Sequence, residues 1–183
     1  MEERKVRSER VFCGRLIKVR RDTVLLPDGK EAVREVVDHP GSVGVVALDE
    51  KGRVVLVEQF RYPAGEGLLE IPAGTLKPGE EPLLCAKREL AEEAGLEAEE
   101  WEEAFEAYLA PGYTTELMRF FLARRLKPAR ASPDEDEIVK PVMVRLEEAV
   151  GWVEEGRIKD AKTIAALLWA WQRLKSGQLK KSG

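Results

Sequence analysis

Residues Gly74 to Leu96 read GTLKPGEEPLLCAKRELAEEAGL, and this stretch constrains the chain more than any other. Pro78-Gly79 is a turn signal. Pro82 suits the first turn of a helix, where its missing N–H costs nothing, and Gly95 suits the end of one. Glu80 and Glu81 fall at the positive end of that predicted helix, which favours carboxylates. Leu83, Ala86, Leu90 and Ala94 share one face, with Lys87 at its edge. Glu89, Glu92 and Glu93 stand at i, i+3 and i+4 and share another. Like charges at this spacing destabilise a helix, so a cation must offset them. Arg88 lies one turn before Glu92 and can pair with it. A hard divalent cation is the stronger candidate, because Mg²⁺ takes one or two carboxylates together with phosphate oxygens. The plainer reading is a solvated acidic face, which is common in a chain with 35% charged residues.

The remaining composition narrows the options. A length of 183 residues suits one domain with a small appendage, and 44% hydrophobic residues suffice for a core. No run of eighteen apolar residues occurs, so no membrane span is expected. The opening MEERKVRSER has no apolar segment of the kind a secretory signal carries. A net charge of −4 argues against a nucleic-acid binder driven by phosphate neutralisation. Cys13 and Cys85 form no CxxC and read as free thiols of a reducing cytoplasm. The single histidine, His39, excludes a multi-histidine zinc site and reads as a loop residue rather than a base. The chain has no Asn, few Gln and abundant Glu, Arg and Lys, the composition of heat-adapted proteins, so a thermophilic source is expected.

Taken in order, 5–38 read as short strands, with Pro27-Asp28-Gly29-Lys30 as a hairpin turn. Such strands cannot bury a core alone, so they must pack on the main body or on a second subunit. A boundary is expected at His39-Pro40-Gly41, dividing an N-terminal β region (1–39) from a main domain (40–183). SVGVVAL (42–48) and RVVLVEQF (53–60) read as buried strands, LLEIP (68–72) as a strand leading into the acidic helix, and 97–108 as a strand despite its glutamates. Pro111 to Glu116 is a loop, 118–123 a strand, and 128–137 an acidic mobile loop. Pro141 marks 138–146 as a strand at a sheet edge or with a bulge. A short helix covers 147–154, and a long one covers 160–174 with Ile164, Leu167, Leu168 and Trp171 as its apolar stripe. Trp152, Trp169 and Trp171 read as core or interface. Strands, a helix, more strands and a late helix imply an α+β or α/β/α sandwich.

The spacing Gly74, five residues, Glu80, seven residues, Arg88-Glu89-Leu90, one residue, Glu92-Glu93, one residue, Gly95-Leu96 resembles the Nudix box of the Nudix hydrolase superfamily at every defining position. The resemblance implies hydrolysis of a nucleoside diphosphate linked to another moiety, on a Nudix-type sandwich. It implies Glu89 and Glu93 as direct metal ligands, Glu92 as a further or water-mediated one, and the Ala73 carbonyl beside them. The expected ion is Mg²⁺, with Mn²⁺ or Zn²⁺ as substitutes. Arg88 would orient the carboxylates, Gly74 would allow close backbone approach, and Glu80 would hold the loop–helix geometry.

The flanks EQFRYPAGEGLLEIPAGTLKPGEEP and LAPGYTTE look like bacterial ADP-ribose pyrophosphatases, which carry a proline where Pro111 stands here, fifteen residues after Leu96. That likeness extends through GRIKDAKT (156–163). It implies that Arg61 contacts a phosphate or ribose, a role suited to a guanidinium fork, with Glu70 beside it or in the metal shell. It implies a general base on the acidic loop Asp134 to Glu137, with Glu137 first, Glu135 second and Glu116 third. It also implies a homodimer whose N-terminal strands swap and help enclose the adenine. Other nucleotide diphosphates, such as GDP-mannose, FAD and dinucleoside polyphosphates, form the alternative substrate set. A non-catalytic nucleotide sensor is the alternative class, and the retained box carboxylates speak against it.

Overall fold

The structure is a computed structural model that describes residues 2–129 and 138–179. The chain divides into two compact units, one formed by Met1–Gly41 with Ala107–Met118, the other by Ser42–Glu106 with Arg119–Gly183.

The first unit is built on an antiparallel sheet of β1 (Arg4–Cys13), β2 (Lys18–Leu25) and β3 (Glu31–Asp38) in that order. The β2–β3 turn closes at the expected place, with Leu26 N–H on the Lys30 carbonyl at 2.8 Å and Gly29 N–H on the Leu26 carbonyl at 2.9 Å. The β1 ladder breaks register between Lys5 and Arg7 and again between Arg10 and Phe12. Every residue of β1 is exposed. The loop before Glu116 is tied to the end of β3, since Val37 N–H donates to the Tyr113 carbonyl (2.7 Å) and Thr115 N–H to the Val37 carbonyl (3.0 Å).

The second unit holds β4 (Ser42–Ala47), β5 (Arg53–Arg61), β6 (Glu66–Glu70), β7 (Ala73–Thr75), α1 (Pro82–Ala94), β10 (Val139–Arg145), α2 (Leu146–Glu154) and α3 (Ala161–Lys175). Strands β8 (Leu96–Tyr108) and β9 (Leu117–Pro128) begin and end in it, and their joined tips belong to the first unit. Two sheets result, ordered β7-β4-β9-β8 and β10-β5-β6. Strand alternation gives the larger sheet two buried faces. Val43, Val45, Ala47, Phe121 and Ala123 pack with Cys85, Ala86 and Leu90 of α1. On the opposite face Phe120 stacks on Phe105 at 4.2 Å, and Phe105 meets Trp169 of α3 at 5.7 Å. Pro141 lies on β10, an edge strand as its missing N–H requires.

Several expectations are corrected. The buried face of α3 is Thr163, Ala166, Leu167 and Ala170, so of the expected stripe Leu167 is buried, Ile164 and Trp171 are half-buried and Leu168 is 45% exposed. Small residues, rather than the largest ones, let this helix approach its sheet. Helix α1 starts at Pro82 with no acidic side chain in its first turn and no side-chain cap. Glu81 is the N-cap residue, and Glu80 lies one residue before it. The three-residue strand β7 is too short for any periodicity to show, and β9 runs twice the expected length.

Candidate active site

The Nudix-type stretch folds back on the segment just before it. Strand β7 pairs with β4 in the register Val43↔Gly74 and Gly44↔Ala73, and α1 packs beside both. Gly95, with φ 64°, ends α1 in the left-handed conformation that glycine adopts without strain. On α1, Glu89 and Glu93 lie one turn apart and are 7% and 5% exposed. An ideal Cβ on Gly74 would stand 1.8 Å from Glu89 Oε1 and 2.0 Å from its Cδ. Gly74 is thus dictated by the space Glu89 fills, and the close approach expected there is made by a side chain of the protein itself. Glu93 Oε2 accepts the Ala73 N–H at 2.9 Å. Both buried carboxylates come to the Ala73–Gly74 backbone.

Arg88 is the cation that the acidic face requires. Its Nη1 donates to Glu89 Oε1 (2.6 Å) and Glu92 Oε2 (2.9 Å), while Nε and Nη2 reach the two Glu80 oxygens at 2.9 and 3.1 Å. Nη2 also lies 3.2 Å from Cys85 Sγ. One guanidinium charge therefore serves three carboxylates. The hydrogen bonds to Glu80 contribute most to raising the Arg88 pKa. In turn Arg88, helped by the Lys77 N–H at 2.9 Å, holds the Glu80 carboxyl down at about 2. Burial pushes the Cys85 thiol up to about 12.

A second cluster lies at the ends of β5 and β6. Arg61 Nε and Nη2 grip the two oxygens of Glu70 at 2.7 and 2.8 Å, a bidentate pair. Lys162 Nζ reaches Glu70 Oε2 at 2.5 Å and Asp160 Oδ1 at 2.9 Å. Burial pushes the Glu70 carboxyl up, but the Arg61 and Lys162 partners together hold it below the usual range. The Glu70 hydrogen bond raises the Arg61 pKa against burial, and the charges of Glu93 and Asp160 add to it.

The sequence reading missed Asp160, Lys162 and Thr163. Asp160 caps α3 by accepting the Thr163 N–H at 3.0 Å and the Thr163 hydroxyl at 2.6 Å. Thr163 Oγ1 in turn accepts the Ile71 N–H at 2.8 Å, next to Glu70. An Asp three residues before a Thr at a helix start was the available signal. Glu116 belongs to the other unit, where its carboxylate stands 4.0 Å from His39 Nε2. Glu135 and Glu137 lie outside the described residues.

Among the described residues no three carboxylate, histidine or cysteine side chains converge on one point that would hold an ion. The donors at Ala73–Gly74 are nonetheless all hard oxygens, the chemistry that suits Mg²⁺-like ions rather than soft metals.

A family model of the NUDIX domain matches residues 38–167. The chain belongs to the Nudix family. Hydrolases of this family generally use a divalent metal. A model of the nucleoside diphosphate sugar hydrolase N-terminal domain matches residues 3–37 of this Nudix chain. The Nudix chain is 40% identical over 168 residues to a methanol dehydrogenase activator of Bacillus methanolicus, covering 91% of each. It is 40% identical over 169 residues to an ADP-ribose pyrophosphatase of Bacillus subtilis (strain 168), again covering 91% of each. Its fold matches the crystal structure of an ADP compounds hydrolase with a TM-score of 0.85, 23% identity and 97% and 96% coverage of the two chains. Among the described residues, no helix is long and apolar enough to cross a membrane.

Proposed function

We propose that this Nudix protein hydrolyses the pyrophosphate of ADP-ribose to AMP and ribose 5-phosphate. The observation that carries the reading is the convergence of Glu89 and Glu93 on the Ala73–Gly74 backbone. Identity to an ADP-ribose pyrophosphatase along nearly the whole chain supports the substrate.

Glu89, Glu93 and the Ala73 carbonyl would hold Mg²⁺, with Glu92 assisting and Mn²⁺ or Zn²⁺ as substitutes. When bound, the dication supplies positive charge toward the anhydride oxygens and acidity to the attacking water. Arg88 keeps Glu89 and Glu92 oriented. Arg61 grips a phosphate or ribose oxygen, with Glu70 beside it. Glu137 takes the proton of the water, with Glu135 and then Glu116 as the next candidates.

The further parts of the reading are a domain organisation of 1–39 and 40–183, a homodimer, a cytoplasmic location and a heat-adapted source. The dimer is supported by exposed apolar side chains of the first unit, Val6, Val11, Phe12 and Leu16 among them.

The name of the Bacillus methanolicus relative points to action on another protein, so identity alone does not separate hydrolase from regulator. The intact box carboxylates favour the hydrolase. Incubation with Mg²⁺ and, separately, ADP-ribose, GDP-mannose, FAD and diadenosine polyphosphate tests the choice. AMP and ribose 5-phosphate from ADP-ribose, at the highest kcat/KM, are expected. Slower turnover of ADP-ribose than of all the others would overturn the substrate, and no turnover of any would favour the regulator.

A further inference from the structure

Glu70 is served by two cations where one would neutralise it. Its side chain is 2% exposed, and the two partners differ in kind. Arg61 ends a strand and its side chain is 40% exposed. Lys162 is 12% exposed and sits in the first turn of α3. That turn is fastened twice, by the Asp160 cap and by the Ile71 N–H on Thr163. Asp160 Oδ1 also holds the Lys162 ammonium in place. One partner is thus free to reach toward solvent, and the other is built into the frame.

We infer that Lys162 is a positioning residue which keeps Glu70 paired and so releases Arg61 to a phosphate or ribose oxygen of the substrate. The inference rests on the proposed function only in taking Arg61 as a substrate contact. A carboxylate buried without a cation is costly. With Arg61 as the only partner, turning toward substrate would strand Glu70, and the guanidinium would stay where it is. With Lys162 fixed at Oε2, Glu70 retains a charge partner throughout, and Arg61 exchanges one anion for another.

The test is calorimetric binding of ADP-ribose in EDTA, where neither metal nor turnover contributes. Lys162→Met keeps the apolar stem and removes the charge, and it should weaken Kd about tenfold, the scale of one charge-assisted hydrogen bond. Lys162→Arg should restore most of the affinity. In an Arg61→Ala background, adding Lys162→Met should cost nothing further, because the two act through one group. An unchanged Kd in Lys162→Met, or an equal loss in both backgrounds, overturns the inference. If Lys162→Met does not fold, Glu70→Gln carries the test. Arg61 is then released, so Kd should hold or tighten, and a tenfold weaker Kd overturns the inference. Turnover is measured separately. Binding with the Arg61–Lys162 coupling but without AMP release would refute the hydrolase and leave the inference standing. A wild-type protein that does not bind ADP-ribose in EDTA overturns the inference, and turnover with Mg²⁺ decides the hydrolase separately.

Discussion

The Glu89 carboxylate occupies the space a side chain on Gly74 would need, with only 1.8 Å between Oε1 and an ideal Cβ. Helix α1 and strand β7 are therefore keyed together by one missing methyl group. Gly74→Ala must displace Glu89, and overpacking of this kind costs roughly 1–3 kcal/mol. Thermal melts should show that loss. Hydrolysis should fall about 100-fold, as a misplaced catalytic group predicts.

Glu93→Gln separates charge from shape. The amide oxygen can still accept the Ala73 N–H now bound by Glu93 Oε2, so the melting temperature should change little. Losing one anionic donor should lower kcat by about 10²–10³, the range seen when a single electrostatic contact is deleted. Full hydrolysis in this variant would remove the metal assignment.

The Glu80–Arg88 pair gives stability a definite dependence on pH. Glu80 titrates near 2 in the folded chain against an ordinary 4.5. Its pKa is depressed on folding, so its contribution is fully present above about 4.5 and is lost as pH falls through about 2. Melting curves between pH 5 and 2, an interval chosen to bracket that shift, should fall more steeply for the wild type than for Glu80→Gln. Parallel slopes would show that the pair adds nothing.

The α3 cap is open to a separate test. Asp160→Ala removes the acceptor of the Thr163 N–H and hydroxyl and should cost about 1–2 kcal/mol, toward the upper range for a lost N-cap because two bonds go. A melting temperature equal to that of the wild type would show that α3 is held by packing alone.

The two thiols should behave oppositely. Cys13 is exposed, whereas Cys85 is fully buried with a thiol pushed up to about 12. Iodoacetamide at pH 8, near an ordinary thiol pKa, should modify Cys13 alone in the native protein. Mass mapping reads the result, and modification of Cys85 at a comparable rate would contradict its burial.

Much of the fold was legible along the chain. Unbroken apolar runs marked β4 and β5, Pro82 and Gly95 bounded α1, and Pro141 pointed β10 to an edge or a bulge, because each is a property of a few consecutive residues. The α3 stripe was misjudged because size suggested Leu168 and Trp171, whereas close approach to the sheet selects Ala166 and Ala170. At the site, the glutamate spacing on α1 pointed to one face and Arg88 to its partner. The resemblance grouped Glu89 and Glu93 with Ala73, but only the structure showed Glu93 on the Ala73 N–H and Glu89 in the space beside Gly74.

What the sequence determined by itself was the family and the acidic helix, since a gapped pattern with a fixed period needs no three-dimensional context. Only the tertiary structure decided which charges distant along the chain neutralise one another. Glu70 and Lys162 lie 92 residues apart, and a buried carboxylate takes whichever cations the packing brings to it.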